Sequence, residues 1–306
     1  MSDFVQQHAN TCDFRTSEAW VILSPIEQSI KNKIEAVGTP LKDWDIQINY
    51  GIKTGYNDAF IIDTEKRNDI LKACNPDNGE RQRTAELIRP ILRGRDIKRY
   101  SYDWANLWLI CTFPAKHYDI DEYPAVRDYL LSFGMERLEQ TGKTHIVNGE
   151  VIKARKKTNN KWFEVQDSIA YWNDFFKPKI IYPNMSKFLP FVYDDKNYCT
   201  NQKCFIITGQ SIAYLTAFFN SSLFKFCFRE SFPELQSGTR EMGKMFFEKI
   251  FVKQVTNEIN KQFKAVVDDI QNEYSKSKAI AIDNMIFDLY NLSEEERQII
   301  GFIEIQ

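Results

Sequence analysis

The stretch that sets the fold class lies at residues 46–62 and reads IQINYGIKTGYNDAFII. Ile46, Ile48 and Tyr50 alternate with polar residues, which is the pattern of a half-buried β-strand. The apolar run Ala59–Ile62 predicts a second, buried strand. A loop with a glycine near each end separates the two runs, so this segment predicts strand, loop and strand.

A helix is predicted on the N-terminal side of this segment. Ser24 can cap it, Pro25 suits its first turn, and Glu27 stands where a capping box requires an acidic residue. Gly38 favours a stop, so the helix should end at about Val37.

Apolar spacing places further elements along the chain. The predicted strands are Leu107–Cys111, Lys179–Tyr182, Phe188–Tyr193 and Cys204–Thr208. The predicted helices are Glu65–Cys74, Pro124–Phe133 and Ser211–Asn220. Together these patterns predict an α+β protein with a mixed, twisted β-sheet and flanking helices.

After Val255 the apolar residues recur only at the three- and four-residue spacing of a helix, which predicts a C-terminal helical tail. Its last helix should begin after Ser293, a good capping residue. We therefore divide the chain into a helical lead-in at 1–44, an α+β domain at 45–255 and a helical segment at 256–306.

Residues 145–152 predict a β-hairpin, because Asn148 and Gly149 form the preferred two-residue turn between short strands. The outgoing strand runs directly into a basic segment. This segment contains Lys153, Arg155, Lys156 and Lys157.

The composition, 43% hydrophobic and 27% charged, is that of an ordinary soluble protein. No apolar run approaches the ~20 residues that cross a bilayer, and the N-terminus lacks a signal-peptide pattern, so we expect a cytoplasmic location without membrane contact. The 6 cysteines are scattered and should be reduced, and with only 3 histidines a metal site has little support.

Charge is distributed unevenly although the net charge is only −2. Residues 80–100 hold seven basic and three acidic residues (+4), and residues 142–161 hold six and one (+5). Residues 256–296 hold four basic and nine acidic residues (−5). This asymmetry is compatible with a basic face on a polyanion. The alternative is that the charge runs are ordinary solvated faces.

Common catalytic motifs are missing from the sequence. It has no glycine-rich turn for S-adenosylmethionine and no Asn-Pro-Pro-aromatic loop, since Asn75-Pro76 continues with Asp77. A P-loop, a Gly-x-Ser-x-Gly elbow and a His-Glu-x-x-His helix are missing too. We predict no catalytic residue in this chain and leave open whether it is part of an enzyme.

Four stretches carry a family resemblance. They are residues 50–63 (YGIKTGYNDAFIID), 89–100 (RPILRGRDIKRY), 162–164 with 177–183 (WFE and KPKIIYP) and 214–223 (YLTAFFNSSL). In this order they resemble the C-terminal target-recognition domain of gamma-class adenine-N6 DNA methyltransferases and of type IIG restriction–modification enzymes. The resemblance covers most of residues 20–255.

The resemblance implies binding to a specific double-stranded DNA sequence and presentation of a target adenine to a methyltransferase domain or subunit. S-adenosylmethionine is expected only in that catalytic domain, which this chain lacks. We expect a truncated form, a split-gene specificity subunit or a gene remnant. The alternative is a protein-interaction module that docks on a methyltransferase or nuclease and binds DNA only weakly.

Candidate DNA contacts follow from the charges that such a domain needs. Phosphate contacts are predicted for Arg81, Arg83, Arg93, Arg95, Lys98 and Arg99. Base contacts are predicted for Lys153, Arg155, Lys156, Lys157, Asn159 and Asn160, because a two-stranded ribbon fits the major groove. The alternatives are solvated arginines and a mobile surface loop.

Two further segments are candidates. Arg240 lies in a polar loop and could contact a base or a phosphate. In the glycine-flanked loop, a structural turn is favoured over DNA contact by Lys53, Thr54 and Tyr56.

Overall fold

The computed structural model describes residues 24–228 and 231–303. Its strands are β1 (Gly38–Pro40), β2 (Ile46–Tyr50), β3 (Ile61–Asp63), β4 (Ile88–Leu92), β5 (Ile97–Lys98), β6 (Ser101–Tyr102), β7 (Leu107–Ile110), β8 (Thr144–Val147), β9 (Glu150–Lys153), β10 (Lys179–Pro183), β11 (Met185–Ser186), β12 (Val192–Asp194), β13 (Cys199–Thr200), β14 (Cys204–Gly209), β15 (Arg240–Glu241) and β16 (Phe251–Lys253).

The α-helices alternate with these strands and then dominate the C-terminal part. They are α1 (Pro25–Val37), α2 (Asn57–Phe60), α3 (Thr64–Ala73), α4 (Glu80–Leu87), α5 (Pro124–Leu131), α6 (Met135–Leu138), α7 (Ile212–Phe219), α8 (Ser222–Phe228), α9 (Lys244–Phe247), α10 (Asn257–Asn272), α11 (Lys276–Leu289) and α12 (Glu294–Ile300). The predicted α+β class is confirmed.

A four-stranded antiparallel sheet lies at the centre of the molecule, in the order β12–β10–β14–β2. Successive side chains of a strand point to opposite sides of the sheet, and hydrophobic residues cover both sides here. Ile180 pairs with Ile207 on one face, and Ile181 pairs with Ile206 on the other. The sheet therefore separates two hydrophobic cores.

The first core joins the two ends of the described chain. It contains Ile30 and Ile34 of α1, the apolar side of α7, and the inner faces of α10 and α11. Tyr182 and Phe205 stack at its centre with their rings 5.3 Å apart. The C-terminal helices thus complete a core that begins at α1.

A second four-stranded sheet supports the other core, in the order β13–β4–β7–β3. β13 and β4 are parallel, and the other pairs are antiparallel. Residues from 52 to 206 fill this core, whereas the first core draws on residues from 30 to 292. The first core crosses both predicted domain boundaries, the second lies within residues 45–255, and the boundaries stay a prediction.

The predicted N-terminal helix forms as its capping signals indicate. Ser24 accepts a hydrogen bond from the Glu27 backbone, and the Glu27 carboxylate accepts one from the Ser24 backbone at 2.7 Å. The Gly38 backbone donates to Ile34 O at the C-terminal end. The first 23 residues of the predicted lead-in lie outside the described residues.

Two strand predictions need correction. The stretch Ala59–Ile62 is helical in its first half, because Thr54 Oγ accepts from the Tyr56 backbone and starts a turn that α2 completes. Only the end of Phe188–Tyr193 is a strand, because Pro190 cannot donate to a neighbouring strand. The remaining predicted strands and helices form within about two residues of the predicted bounds.

Within residues 24–228 and 231–303, none of the helices has both the length and the apolar character needed to span a membrane. The described cysteines, Cys74, Cys111, Cys199, Cys204 and Cys227, are free thiols.

Candidate nucleic-acid interface

A cleft of about 1030 Å³ opens beside the end of β10. The β5–β6 turn forms one wall and β11 forms the other. Within residues 24–228 and 231–303, its charged lining consists of five basic side chains and one acidic one: Arg95, Lys98, Arg99, Lys187, Lys225 and Asp103. We call this feature the basic cleft.

A short turn at residues 94–96 places Arg95 in the basic cleft. The Asp96 carboxylate accepts from the Arg93 backbone at 2.8 Å and from the Arg93 guanidinium at 2.8 Å. The hydrogen bond from Arg93 to Asp96 raises the pKa of Arg93. Arg93 thus stabilises the turn and does not line the cleft. Arg95 is exposed and lines the cleft.

Close packing explains the glycine in this turn. A Cβ atom at Gly94 would lie 2.9 Å from Lys203 O, so a larger residue would push the turn away from the neighbouring chain. Lys203 is exposed and lies against this wall.

Arg99 is fixed at the edge of the cleft. Its Nη2 and Nε donate to Asn220 O at 2.8 and 3.1 Å, and its Nη1 donates to Tyr274 Oη at 3.3 Å. Lys98 pairs with Asp103 at 3.5 Å, and both side chains are largely exposed. Such an exposed pair contributes about 1 kcal/mol or less, so Lys98 remains available to a phosphate.

Two lysines of the cleft were missed by sequence reasoning. Lys187 follows β11 and Lys225 belongs to α8, and both are exposed. Each is a single lysine in an unremarkable local sequence, so only the fold brings it to Arg95. The same wall carries Phe188, whose side chain is 62% exposed.

Arg81 and Arg83 do not line the cleft. Arg83 donates to Asn78 O at 2.9 Å and to Glu122 O at 3.3 Å, so part of its guanidinium holds the local fold. Arg81 is exposed on α4. Of the six predicted phosphate contacts, the structure brings Arg95, Lys98 and Arg99 together in the cleft.

The predicted hairpin forms from β8 and β9. Asn148 and Gly149 have φ values of 49° and 81°, which is the left-handed region that a two-residue hairpin turn requires. Arg137 donates to Lys153 O at 2.9 Å, and His145 lies 2.5 Å from a Glu139 carboxylate oxygen. A hydrogen bond from Thr141, and then one from His145, lowers the pKa of Glu139.

Comparison with known proteins decides the family. A model described as the TaqI-like C-terminal specificity domain matches residues 89–250. The chain belongs to this family. The resemblance found in the sequence is therefore confirmed. A comparison with curated protein sequences found no match.

Solved structures show the same fold as this specificity domain. The type IIG restriction endonuclease BpuSI matches 88% of this chain at 12% identity with a TM-score of 0.50. The type IIL restriction–modification enzyme MmeI, solved in complex with DNA, matches 83% at 12% identity with a TM-score of 0.50. This chain spans about a third of the length of these proteins, since the match covers 34% of each.

Arg155 of the specificity domain is a structural residue, which revises the prediction that it contacts bases. Its side chain is buried, and it donates to Leu138 O at 2.7 Å, Thr54 O at 3.0 Å, Glu164 O at 2.7 Å and also to Trp162 O. Burial lowers the pKa of Arg155 to about 10. The guanidinium thus ties the hairpin base to the glycine-flanked loop.

Lys153, Lys156, Lys157 and Asn159 are exposed beside the hairpin, as a DNA contact requires. Asn160 differs, because its amide donates to Gln166 O at 2.8 Å and to Val165 O at 3.2 Å. We therefore revise the predicted base contact of Asn160 to a structural role.

Arg240 is also revised. Its side chain is buried, donates to Phe232 O at 3.0 Å and pairs with Glu234 at 2.9 Å. A side chain so placed stabilises its own loop.

The glycine-flanked loop is held internally. Thr54 is buried and donates to Asn57 Oδ1 at 2.7 Å. Tyr56 packs edge-on against Phe133, and the Lys53 carbonyl accepts from Gln166 at 3.0 Å. This geometry favours the structural interpretation of the loop, and Lys53 and Tyr56 keep part of their surface exposed.

Proposed function

We propose that this chain recognises a specific double-stranded DNA sequence for a type IIG-like restriction–modification adenine methyltransferase and is not catalytic by itself. The observation that carries the proposal is the basic cleft, where the described residues contribute five cationic side chains and one carboxylate. Cations that replace condensed counterions on phosphates supply most of the affinity of DNA-binding proteins. The cleft therefore supplies affinity, and neighbouring side chains supply the choice of sequence.

The catalytic step belongs to a partner in this proposal. A methyltransferase domain or subunit binds S-adenosylmethionine and receives the target adenine, and the specificity domain positions the duplex. The complex then acts in the cytoplasm.

The decisive experiment neutralises the basic cleft. A variant with Arg95→Gln, Lys98→Gln, Lys187→Gln and Lys225→Gln removes four positive charges. A matched control removes four exposed lysines that do not line the cleft, with Lys42→Gln, Lys72→Gln, Lys261→Gln and Lys276→Gln. Both variants carry the same net charge, so a difference between them reports the position of the charges.

Binding is measured by fluorescence anisotropy with duplexes selected from a random pool. We expect the cleft variant to lose at least tenfold in affinity and the control to stay within about threefold. The wild-type affinity should fall steeply with salt, by close to one logarithmic unit per tenfold salt for each phosphate neutralised. Equal losses in both variants, or no binding by the wild type, would contradict the proposal.

The exposed apolar side chains of the same wall favour a second candidate function. Met185 and Phe188 are exposed there, and such a patch can dock a protein partner. In that case Phe188→Ser would weaken association with the methyltransferase partner, whereas the four-charge cleft variant would leave it intact.

A further inference from the structure

The hairpin β8–β9 carries an apolar pair on its outer face. Ile146 and Val151 are directly opposite each other in the antiparallel register. Their side chains are 78% and 74% exposed, higher than any other large hydrophobic side chain among the described residues. Two neighbouring β-branched side chains in water forgo the free energy that burial of their apolar surface would give. Such an exposed pair therefore indicates a partner that covers it.

Among the described residues, the hydrogen bonds and ion pairs that hold the hairpin to the rest of the protein lie at its base. Arg137 and Glu139 bind the end of β9 and the start of β8, and Arg155 anchors the segment that follows. The turn at Asn148 and Gly149 is exposed, and a Cβ atom at Gly149 would meet nothing within 4 Å. The tip therefore projects from a rigid base.

Positive charge lies at the base of the hairpin, next to the apolar pair. Lys143 and Lys153 stand at the base, and Lys156 and Lys157 follow it, all four exposed, while Glu150 is the acidic residue of the hairpin itself. Lysines at the base suit the phosphates that border a groove of DNA when the tip enters that groove. The apolar pair then lies where the base edges are, because a two-stranded ribbon fits the width of the major groove.

We propose that Ile146 and Val151 contact the C5-methyl groups of thymines in the major groove and thereby help to determine sequence specificity. This inference rests on the proposed function of DNA recognition. Neither side chain has a hydrogen-bonding group, and the thymine methyl is the apolar group that the base edges offer in the major groove. Their β-branched side chains are stiff, so the contact surface is ordered before binding.

The test removes only the methyl groups. A duplex selected by the wild-type protein is remade with deoxyuridine replacing each thymidine in turn, which leaves base pairing intact. Wild-type affinity should fall about fourfold at each contacted position, the effect of one methyl-sized group leaving an apolar contact. Binding of the variant Ile146→Ser with Val151→Ser should not respond to uracil.

A matched control variant changes two other exposed apolar residues, Met245→Ser and Ile299→Ser. It should keep the full response to uracil. Since serine lowers strand propensity, a second variant with Ile146→Thr and Val151→Thr keeps the β-branch and should show an intermediate response. Amide exchange in β8 and β9 checks that each hairpin remains folded.

The outcomes separate this inference from the function on which it rests. If no duplex is selected, the proposed function itself fails. If a duplex is selected but uracil changes nothing, or the serine variant responds as the wild type does, the methyl contact is refuted and DNA recognition stands. A serine variant that loses only partner association would assign the apolar pair to a protein interface and also refute the inference.

Discussion

At the scale of single residues, a buried arginine is more informative than an exposed one. Arg155 binds four backbone carbonyls, three of them at 2.7–3.0 Å. Replacing it with methionine keeps much of the volume but removes the donor of Leu138 O, Thr54 O and Trp162 O. Glu164 O keeps its hydrogen bond from the Gln140 amide at 3.0 Å. Each orphaned carbonyl costs about 1–3 kcal/mol, so we expect Arg155→Met to lower the free energy of unfolding by about 3–5 kcal/mol.

Urea unfolding measures this loss, and the adjacent exposed lysine provides the control. Lys156→Met should change stability by no more than about 0.5 kcal/mol. An Arg155→Met protein with normal stability and impaired DNA binding would restore the original sequence prediction of a base contact.

The same residue shows what a charge run in a sequence can predict. The run at residues 153–157 correctly indicated a basic region, but Ala154 and Arg155 turn inward while Lys153 and Lys156 are exposed. Local sequence does not reveal this, because the inward direction depends on carbonyls from residues 54 and 138. For the same reason Lys187 and Lys225, which meet in the cleft through the fold, could not be found from sequence.

At the scale of elements, the sequence predicted those features whose conformation is set by neighbouring residues. The capping boxes at Ser24 and Ser293, the turn at Asn148 and Gly149, and the C-terminal helices are each fixed by neighbouring residues. The strand prediction at Ala59 was wrong, because the hydrogen bonds of Thr54 with Asn57 and Tyr56 start a helical turn there in spite of the apolar run.

The hairpin turn permits a test of its own. Gly149 has φ +81° and open space around it, so Gly149→Ala introduces only backbone strain, about 1 kcal/mol. We expect faster amide exchange in β8 and β9, weaker DNA binding, and little change in the global unfolding midpoint. Asn148→Gly, which relieves rather than adds strain at φ 49°, should leave exchange nearly unchanged. Equal exchange in both variants would contradict this account of the turn.

The last helix is docked through a carboxylate. Glu296 of α12 accepts from Lys33 at 2.7 Å, from Ser29 at 2.9 Å and from the Ser293 backbone at 2.7 Å. Burial alone would raise the pKa of Glu296, but these hydrogen bonds outweigh burial and lower it.

A lowered folded-state pKa means that the ionised carboxylate stabilises the fold above its unfolded-state pKa. This contribution is lost as the pH falls through the folded-state value. Glu296→Gln should therefore cost about 1–2 kcal/mol at neutral pH, and the difference from wild type should shrink in acid. Urea unfolding of both proteins at several pH values measures it, and a deficit independent of pH would contradict the docking role.

At the scale of the whole molecule, the central sheet joins two hydrophobic cores, and the first of them combines residues from all three predicted segments. Ile207 faces the core completed by the C-terminal helices, and Ile206 faces the core of the second sheet. Both side chains have no exposed surface. Because β14 contributes side chains to both cores, a substitution that destabilises one core should also destabilise the other.

We therefore expect Ile206→Ala and Ile207→Ala each to lower the free energy of unfolding by about 2–5 kcal/mol. In both variants, amide exchange should detect α11 and β7 opening in one transition, although these elements belong to different cores. Two separate transitions, with Ile206→Ala releasing only β7, would mean that the cores fold independently. The basic cleft also requires both cores to be folded together, since Arg95 comes from the segment between β4 and β5 and Lys225 comes from α8. A protein whose two cores separated could not hold those charges at one spacing, so cooperative unfolding and a defined DNA site should be lost together.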